Sequence, residues 1–395
     1  MQYPLQGVKV LDLSRVLAGP YCGQLLADMG ADVLKVESPE GDENRGWGDR
    51  TADGLSCNFS SVNRGKRSVV MNFKAPGAKE ALAQLVRESD VVIESFLPES
   101  SKRLGITFEA LKEIKPDIIL CSITGYGSRG PMRDKPGYDL MMQAFSSVML
   151  GTGTEDGEPV RCGVSFIDMS TGLIAYGGIL TALHSRGVNG GCHVEVSLLR
   201  TAISILGYQA VNWLQTGRLP QRQGSGVMHL VPYQAFKCRD GYILSGATND
   251  LAWRRFSTAL GRPELGVDPR FATNDDRLQN RAELIALVSA IFETNDAAYW
   301  VEKFEENRVA ISPLNTLDQV LTHDQLKEND ILLSLAESGQ EPKSFIGAPF
   351  TLNKETLFSQ RLVPHLGADN DEILRAHMQL SDEQIERLTG LREQA

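Results

Sequence analysis

The chain has 395 residues, of which 42% are hydrophobic and 23% are charged, and its formal net charge at neutral pH is −10. This length predicts two or more domains, and the composition is that of a folded globular protein. The negative charge excludes nucleic acid and anionic membrane surfaces as partners, because both would repel the chain, but a small anionic substrate needs only a local basic pocket.

The N-terminal residues, the apolar stretches and the cysteines predict in which cell compartment the protein works. The first residues, MQYPLQGVKVLDL, run directly into a strand-like segment without the basic flank and apolar core of a signal peptide. No apolar stretch reaches the roughly 18–20 uncharged residues that a membrane span needs. The six cysteines form no CxxC pair, which predicts reduced thiols and no zinc site. We therefore expect a cytoplasmic protein without a metal.

The N-terminal part alternates strand and helix patterns. The predicted strands are residues 8–13, 32–37, 90–93 and 117–123. The predicted helices are residues 21–29, which end at the glycine stop signal Gly30, and then 80–88 and 109–114. Strands that alternate with helices predict a parallel, Rossmann-like sheet with both faces covered.

The second half of the chain has a different pattern. Small residues such as Gly172 and Gly177 recur in a helix predicted over 166–183, which indicates close approach of a neighbouring helix or a ligand. A second helix is predicted over 198–216, and the turn-rich segment 217–226 marks a domain boundary. A smaller mixed domain follows from residue 231 to about 315, with Asp240 and Gly241 in a hairpin turn. The segment 345–375 is irregular and then helical.

The common sequence signatures of catalysis and nucleotide binding are missing. The chain has no GxxxxGK[ST] loop, HExxH, GxSxG or GxGxxG motif, and its first strand is followed by SRVLAGP. Glu37 stands at the end of the second strand, where dinucleotide-binding folds place a ribose-binding acid, but a structural charge is the preferred interpretation. An oxidoreductase of the Rossmann type is therefore a remote alternative.

Asp168 is the strongest candidate for a reacting group. It follows the apolar segment VSFI and directly precedes the small-residue helix. This position suits an N-cap aspartate, and it also suits a carboxylate nucleophile that the helix dipole keeps ionised. Several basic residues near the loops could form one anion pocket or stay solvated on the surface. They are Arg15, Arg45, Arg64, Lys66, Arg67, Lys74, Lys102 and Arg103.

Longer segments match one family in the same order along the chain. They are VLDLSRVLAGPYCGQLLADMGADVLKVE, GDENRGWG, NRGKRSVVMNFK, DVVIESFLPESSKRLGI, SITGYGSRGP, PGYDLMMQA, GVSFIDMSTGLIAYGGILTAL, DPRFATNDDR, ISPLNTL and PHLGADNDEIL. On these motifs the chain resembles the class III CoA-transferases, which include formyl-CoA and carnitine CoA-transferases. The resemblance implies that coenzyme A moves between carboxylic acids, with Asp168 as nucleophile, acyl-CoA as substrate, and no permanently bound cofactor.

The resemblance also implies the binding residues. Coenzyme A contacts are implied for Val16, Ala18, Met71, Lys74, Phe96, Arg103, Tyr138 and Asp139, the last two near the thioester. Gly224, Gly226 and His229 match a loop that covers the active site. Leu17 and Ser38 differ from the glutamine and arginine of formyl-CoA transferase, which argues against formate or oxalate. Arg15 and Arg45 at the acyl end would suit a dicarboxylic acid.

The family further implies the architecture and the assembly. It predicts an α/β fold in which a Rossmann-like CoA-binding domain accompanies a smaller α+β domain, and a homodimer of interlocked rings. We assign residues 1–216 to the first part of the large domain, 217–320 to the small domain, and 321–395 to a C-terminal return to the large domain.

Two further functions remain as alternatives. An acyl-CoA racemase of the same superfamily pairs its aspartate with a histidine in a GHD-like motif, where this chain has Gly137-Tyr138-Asp139. A phenol is a poor general base near neutral pH, so the tyrosine favours transfer. A non-catalytic CoA-binding protein is the other alternative, and the presence of Asp168 argues against it.

Overall fold

A computed structural model of the chain describes residues 3–336, 339 and 341–390. The chain divides into two compact units. Unit 1 consists of Met1–Ser146, Cys162–Ala210 and Asp324–Ala395, and unit 2 consists of Ser147–Arg161 and Val211–His323. The segment 147–161 therefore belongs to unit 2, although the sequence placed it in the large domain. The reason is hydrogen bonding within unit 2, where the Gly224 amide donates to the Gly153 carbonyl over 2.9 Å.

The regular elements follow one another along the chain. The strands are β1 (Lys9–Asp12), β2 (Asp32–Glu37), β3 (Arg67–Val70), β4 (Val91–Glu94), β5 (Ile119–Thr124), β6 (Cys192–Ser197), β7 (Tyr233–Lys237), β8 (Tyr242–Gly246), β9 (Ile311–Pro313), β10 (Leu332–Leu335) and β11 (Lys343–Ile346). The first ten α-helices are α1 (Ala18–Asp28), α2 (Cys57–Asn63), α3 (Ala78–Glu88), α4 (Pro98–Leu104), α5 (Phe108–Ile114), α6 (Asp139–Phe145), α7 (Val148–Gly151), α8 (Phe166–Asn189), α9 (Leu198–Leu206) and α10 (Tyr208–Thr216). The others are α11 (Asp250–Ala259), α12 (Asn274–Gln279), α13 (Arg281–Phe292), α14 (Ala297–Glu306), α15 (Leu317–Leu321), α16 (Asp324–Glu328) and α17 (Asp382–Thr389).

Unit 1 is built on a parallel sheet. Its six strands have the order β3-β2-β1-β4-β5-β6, and every neighbouring pair is parallel. The strand order reverses between β1 and β4. In an open parallel sheet, ligands bind in the crevice beyond the carboxyl ends of the strands at such a reversal. The predicted Rossmann-like sheet is confirmed, and its topology locates the crevice where a ligand is expected.

Both faces of this sheet are buried. Val91 and Ile93 pack in one cluster with residues of α1 and α8, while Val92, between them on β4, packs in a second cluster with α3 and α5. Successive side chains of a strand point to opposite faces, so a strand covered on both sides needs an unbroken apolar run. The sequence VVI on β4 meets this requirement, and the predicted covering of both faces is confirmed.

Helix α8 carries the small residues that the sequence singled out. It is 24 residues long, and among the described residues it is the one helix that is long and apolar enough to cross a membrane. Its buried residues Ala175 and Ile179 pack in the same cluster as α1. A Cβ atom at Gly172 would lie 2.6 Å from the Ala18 carbonyl oxygen. The glycine therefore permits the close approach of a neighbouring helix, as its sequence context indicated.

The single helix predicted over 198–216 is wrong. The structure has two helices there, α9 and α10, and Gly207 separates them with φ 50° and ψ −119°. This conformation lies outside the helical region, and only glycine adopts it without strain. The apolar pattern continues across Gly207 and therefore concealed the break.

Unit 2 contains a small antiparallel sheet, β7-β8-β9, and helices α11 to α15. Asp240 and Gly241 lie in the turn between β7 and β8, as predicted, and the Cys238 amide donates to the Gly241 carbonyl over 2.8 Å. The core of unit 2 is rich in aromatic rings. For example, the ring centroids of Phe236 and Phe292 are 4.8 Å apart.

The C-terminal part of unit 1 also differs from its predicted description. The segment predicted as irregular begins within β11, which pairs with β10 in antiparallel orientation. A π-helical turn over Asp371–His377 follows, and Ile373 and Leu374 pack against the core beside α3. The predicted helical end of this segment is thus present as a π-helical turn, and it covers one face of the parallel sheet.

Candidate active site

The crevice at the strand reversal is a cavity of about 190 Å³ within unit 1. Its walls are the loop after β1 (residues 15–19), the loop after β4 (95–98) and the end of β5 (123–125). Residues of the segment 133–138 line it as well, together with Glu43, Asp168 and Leu198. The candidate nucleophile therefore lies at the place where the sheet topology predicts a ligand.

The loop after β1 has an unusual backbone. Val16 has φ 71°, a left-handed conformation that a β-branched residue adopts only when its surroundings impose it. The Val16 amide donates to the two carboxylate oxygens of Asp42 over 3.1 and 3.2 Å. The Val16 carbonyl accepts from the Asn44 side-chain amide over 2.8 Å. The side chains of Asp42 and Asn44 thus hold Val16 in this strained conformation. Helix α1 begins at Ala18, three residues earlier than predicted.

Asp168 lies in the first turn of α8, but it does not cap the helix. The residue before α8 is Ser165, and its side chain makes no capping hydrogen bond. The cap comes from Asp139, whose Oδ2 accepts from the amides of Ile167 and Asp168 over 2.8 and 3.1 Å. The N-cap interpretation of Asp168 is therefore wrong. A carboxylate from α6 performs that role and leaves the Asp168 side chain free to face the cavity.

The capping carboxylate is itself held in position. Asp139 Oδ1 accepts from the side-chain amide of Gln143 over 2.5 Å, and Gln143 Oε1 accepts from the Cys162 amide over 2.8 Å. Asp139 is predicted to contact coenzyme A near the thioester. Its two oxygens accept from the Gln143 side chain and from the amides of Ile167 and Asp168, so it positions the start of α8, and its contact with coenzyme A stays a prediction.

The pKa of Asp168 is raised to about 7. Burial is the main cause, since the residue is only 8% exposed, and the nearby charge of Asp139 adds to it. The sequence predicted that the helix dipole would keep this carboxylate ionised. Burial and the neighbouring carboxylate instead raise the pKa, so the Asp168 carboxylate is only partly ionised near neutral pH. No described residue donates a hydrogen bond to the Asp168 carboxylate.

Two glycines bring Tyr138 to the cavity. A Cβ atom on Gly125 would lie 2.7 Å from the Cα atom of Gly137, so the two backbones cross in contact. This crossing places the segment before α6 beside the end of β5. Tyr138 follows directly, lines the cavity with Asp168 and is 49% exposed. The glycine of the GYD motif therefore has a packing requirement that the sequence alone did not reveal.

The predicted coenzyme A residues fall into two groups. Val16, Ala18, Phe96 and Tyr138 line the cavity together with Asp168. Four do not line it. Asp139 lies behind Asp168 as described above, Met71 is fully buried in the core, and Lys74 and Arg103 are exposed. An elongated ligand such as coenzyme A extends beyond a cavity of this size, so the contacts of these four residues stay predictions.

Of the two arginines predicted at the acyl end, one lines the cavity. Arg15 does so, and its guanidinium contacts Glu43 at 3.1 Å, with both side chains about half exposed. The prediction that Arg45 binds the substrate is wrong, because its guanidinium is bonded to other groups of the protein. It makes a two-pronged ion pair with Glu37 over 2.8 and 2.7 Å and donates to the Pro364 carbonyl. This bonding also explains Glu37, which is a structural charge.

The basic residues near the loops do not form one anion pocket. Arg64 and Lys66 are fully buried, and their charges pair with Asp28 and Asp12, each at 2.7 Å. Arg67 binds Asp32 on the surface over 2.6 Å. Burial of a charge requires a partner of opposite sign, and these partners are distant in sequence. The sequence therefore could not separate buried structural cations from ligand-binding ones.

The predicted covering loop lies in unit 2. Gly224 has φ 58° and is bonded to Gly153, and the His229 carbonyl accepts from the Asn274 side chain over 3.0 Å. These contacts show how unit 2 holds the loop. The role of Gly224, Gly226 and His229 as a cover of the active site stays a prediction.

Two basic residues of the cavity were missed. Arg133 and Lys135 line it from the segment between β5 and α6. The sequence MRDKPGYD places them just before the motif that carries Tyr138, and this proximity was the available signal. Together with Arg15 they give the cavity three cationic side chains, opposed by Glu43 and Asp168.

A family model, related sequences and a solved structure all match this chain to the same family. Residues 5–370 match the model of CoA-transferase family III. A protein named acyl-CoA transferase from Fusarium pseudograminearum is 40% identical over 344 residues, which are 85% of this chain and 75% of that protein. Succinyl-CoA:glutarate CoA-transferase of Mus musculus is 38% identical over 387 residues, which are 98% of this chain and 89% of that protein. The crystal structure of a CAIB/BAIF family protein from Brucella suis matches with a TM-score of 0.85 at 36% identity, over 95% of this chain and 100% of that one.

Proposed function

Because the chain belongs to CoA-transferase family III, we propose that it moves coenzyme A from an acyl-CoA donor to a free dicarboxylic acid through covalent intermediates on Asp168. The resemblance to this family is confirmed. The enzyme is accordingly a CoA-transferase, and the identity of the acids and the covalent route are the proposal.

The observation that carries the covalent route is the state of the Asp168 carboxylate. It is buried, faces the cavity, and accepts no hydrogen bond from the described residues. A carboxylate without donors keeps its lone pairs available, and a desolvated carboxylate is a stronger nucleophile than a solvated one. With a pKa of about 7, a substantial fraction is ionised near neutral pH.

The reaction begins with two exchanges on the donor. A carboxylate oxygen of Asp168 attacks the thioester carbonyl, the carbon–sulfur bond breaks, and a mixed anhydride and the CoA thiolate form. The thiolate then attacks the Asp168 acyl carbon, which gives an aspartyl-CoA thioester and releases the donor acid. Each intermediate is an anhydride or a thioester and therefore keeps the acyl-transfer free energy of the donor. A serine nucleophile would form an ester, in which most of that free energy is lost.

The reaction ends with the reverse exchanges on the acceptor. The acceptor carboxylate attacks the aspartyl thioester, so the thiolate leaves and a second mixed anhydride forms. The thiolate attacks the acceptor acyl carbon, which gives the new acyl-CoA and restores the Asp168 carboxylate. Water would hydrolyse the two anhydrides and the aspartyl thioester, so this route requires that water be kept out of the site.

The cationic side chains of the cavity support a dicarboxylic substrate. One carboxylate reacts at Asp168, and a second needs a positive partner nearby. Arg15 offers one, because its present partner Glu43 is a half-exposed surface carboxylate. Such exposed pairs contribute only about 0–1 kcal/mol, so a substrate carboxylate can replace Glu43 at little cost. The relative named for succinyl-CoA and glutarate acts on acids of this class.

Trapping the intermediate tests the covalent route. Hydroxylamine or borohydride, added together with succinyl-CoA, is expected to modify Asp168, because both reagents capture an activated acyl group. Peptide mass spectrometry identifies the site. Asp139 serves as the internal control, since this neighbouring carboxylate is engaged by three donors and should stay unmodified. An adduct on any other residue, or label of equal yield in Asp168→Ala, would exclude the mechanism.

Arginine 15 should determine acid selectivity. In Arg15→Ala, the kcat/KM ratio of glutarate to pentanoate is expected to fall roughly 10- to 100-fold, as a charge-assisted hydrogen bond is worth about 1.5–3 kcal/mol. The measurement is acyl-CoA formation followed by mass. Arg103→Ala is the matched control, because its predicted contact is with a phosphate of coenzyme A and both acids should be affected equally. An unchanged ratio in Arg15→Ala contradicts the dicarboxylate proposal.

The racemase alternative finds no support in the cavity. Proton abstraction and return at an α-carbon needs a second base opposite Asp168, and among the described residues no histidine lines the cavity. Tyr138 stands at the position of the racemase histidine. The geometry therefore favours transfer.

Exposed apolar side chains support the proposed homodimer. Tyr208, Val211 and Leu214 on α10 are 65, 56 and 69% exposed, and no residue of that helix is buried. A helix with an apolar face normally buries it against another element. We expect a second copy of the chain to cover this face, as the family implies.

A further inference from the structure

Two buried lysines lie beneath the loop after β1. The side chains of Lys35 and Lys66 are 0% exposed. The Lys66 ammonium group donates to Asp12 Oδ2 over 2.7 Å, to the Pro20 carbonyl over 2.7 Å and to Asn63 Oδ1 over 2.8 Å. All three of its donors are therefore used. Asp12 ends β1 and Pro20 lies in the first turn of α1, so Lys66 ties together the two ends of the loop.

Lys35 holds the middle of the same loop. Its ammonium group donates to the Ser14 carbonyl over 2.8 Å and pairs with Asp42 at 2.9 Å. Asp42 in turn accepts the amide of Val16, the residue with positive φ. The Ser14 amide is bound by Asp12 Oδ1 over 3.0 Å. Ser14 and, through Asp42, Val16 are thus connected to the buried ammonium group of Lys35.

Buried charges such as these stabilise a fold no better than apolar side chains would. Burial lowers the pKa of Lys66 to about 8, although Asp12 opposes the shift, so the environment disfavours its charge. Although burial alone would raise the pKa of Asp12, Lys66 and Lys35 lower it, so that carboxylate stays ionised. Apolar pairs of similar volume often stabilise a protein as well as a buried ion pair does. For Lys66 a conformational role therefore explains the buried charge better than a contribution to stability. Although burial alone would lower the pKa of Lys35, Asp42, Asp12 and Glu37 raise it, so the case for Lys35 rests on its contacts with the loop.

A glycine makes room for this arrangement. A Cβ atom at Gly23 would lie 2.9 Å from Asp12 Oδ2 and 3.1 Å from the Lys66 ammonium nitrogen. Helix α1 can approach the ion pair only because residue 23 has no side chain. The helix, the strand end and the loop between them are therefore built around the buried pair.

We propose that Lys35 and Lys66 are positioning residues for coenzyme A, which hold the loop from Ser14 to Ala18 in the strained conformation that presents its backbone to the ligand. The inference rests on the proposed function in one respect, the contact of Val16 and Ala18 with coenzyme A. Neither lysine lines the cavity, so both act through the loop.

Lys66→Met tests the proposal, with Arg64→Met as matched control. Arg64 is equally buried and pairs with an aspartate at the same distance, but it binds Asp28 and the Ser359 carbonyl instead of the loop. Both variants are expected to lose thermal stability. Only Lys66→Met should weaken binding of S-ethyl-CoA, by roughly tenfold or more as measured by calorimetry, since one to two hydrogen-bonded contacts are worth about that factor.

The kinetic readout separates positioning from general damage. In Lys66→Met, KM for the acyl-CoA donor should rise tenfold with a smaller change in kcat, and KM for the acceptor acid should stay near its wild-type value. Hydrogen exchange of the peptide that contains residues 13–20 should accelerate in Lys66→Met and not in Arg64→Met. Equal affinity in wild type and Lys66→Met, or equal losses in the two variants, would overturn the proposal.

A double variant keeps the test decisive if the single one does not fold. Asp12→Leu combined with Lys66→Met removes both charges, so stability should recover while the affinity for S-ethyl-CoA stays low. Recovery of the affinity as well would refute the positioning role. S-ethyl-CoA binds without reaction, so failure of the Asp168 trapping experiment would leave this result interpretable on its own.

Discussion

Replacing Asp168 by asparagine is expected to lower kcat for CoA transfer by roughly 10⁴-fold or more, the size of loss seen when a covalent nucleophile is removed. The substitution preserves shape and leaves the Asp168 amide bonded to Asp139. An amide cannot form the anhydride, so the covalent route closes. The measurement is the appearance of new acyl-CoA by mass, with Asp168→Ala beside it to exclude activity from deamidated asparagine.

The same substitution should stabilise the protein in a pH-dependent way. The carboxyl pKa is raised from 3.8 to about 7 on folding, so between these values the folded protein holds a proton that the unfolded chain has lost. Wild-type stability from this group therefore falls as pH rises from about 4 to about 7. Asparagine does not titrate. Its advantage in the free energy of unfolding should be small below about pH 4 and approach about 4 kcal/mol at most above about pH 7.

Urea unfolding at about pH 4.5 and about pH 8.5 measures this difference. Asp117→Asn is the control, because it makes the same substitution at an exposed position. A constant difference between wild type and Asp168→Asn across the range would show that the carboxylate is not desolvated. If Asp168→Asn lost activity but its free energy of unfolding differed from wild type by the same amount at both pH values, Asp168 would be needed for the reaction without being desolvated.

Four of the six strands of the parallel sheet, β1, β2, β4 and β5, were predictable because their signals are local, whereas β3 and β6 were not predicted. Strand β4 begins with the unbroken apolar run VVI, and α1 ends at Asp28, two residues before Gly30, so each of these elements is specified within a few residues. Asp168 was selected from the sequence as a carboxylate that follows an apolar segment and precedes a run of small residues. Its position in the cavity lining is consistent with that choice, and its role as nucleophile stays a proposal. The assignment of its reaction still needed the family motifs, because spacing alone favoured a cap.

The partners of the site residues were not predictable, because they are distant in sequence. The α8 cap comes from Asp139, 29 residues before Asp168, and the partner of Lys66 is 54 residues away on β1. Nothing local distinguishes Arg15, which lines the cavity, from Arg45, whose guanidinium is consumed by Glu37. Only the three-dimensional fold decides which charges are paired and which are available to a substrate.

Gly172→Ala is expected to damage both stability and activity. The added Cβ atom would lie 2.6 Å from the Ala18 carbonyl oxygen and 3.1 Å from the Tyr21 ring, so α8 and α1 must separate. Overpacking of this kind costs about 1–3 kcal/mol. Because α8 carries Asp168 and α1 begins at the loop that lines the cavity, the two sides of the site move apart, and a shift of about 1 Å can lower kcat/KM roughly 100-fold.

Gly177→Ala provides the control on the same helix. No atom lies within 4 Å of a Cβ atom built at this exposed position. Alanine there should raise stability by about 0.5–1 kcal/mol, the difference in helix propensity, and leave kcat/KM unchanged. Unfolding in urea and acyl-CoA formation are measured for both variants. Equal stability and activity of Gly172→Ala and Gly177→Ala would contradict this prediction. It would mean that α8 and α1 accommodate the added methyl group without moving apart, so their contact would not set the position of Asp168.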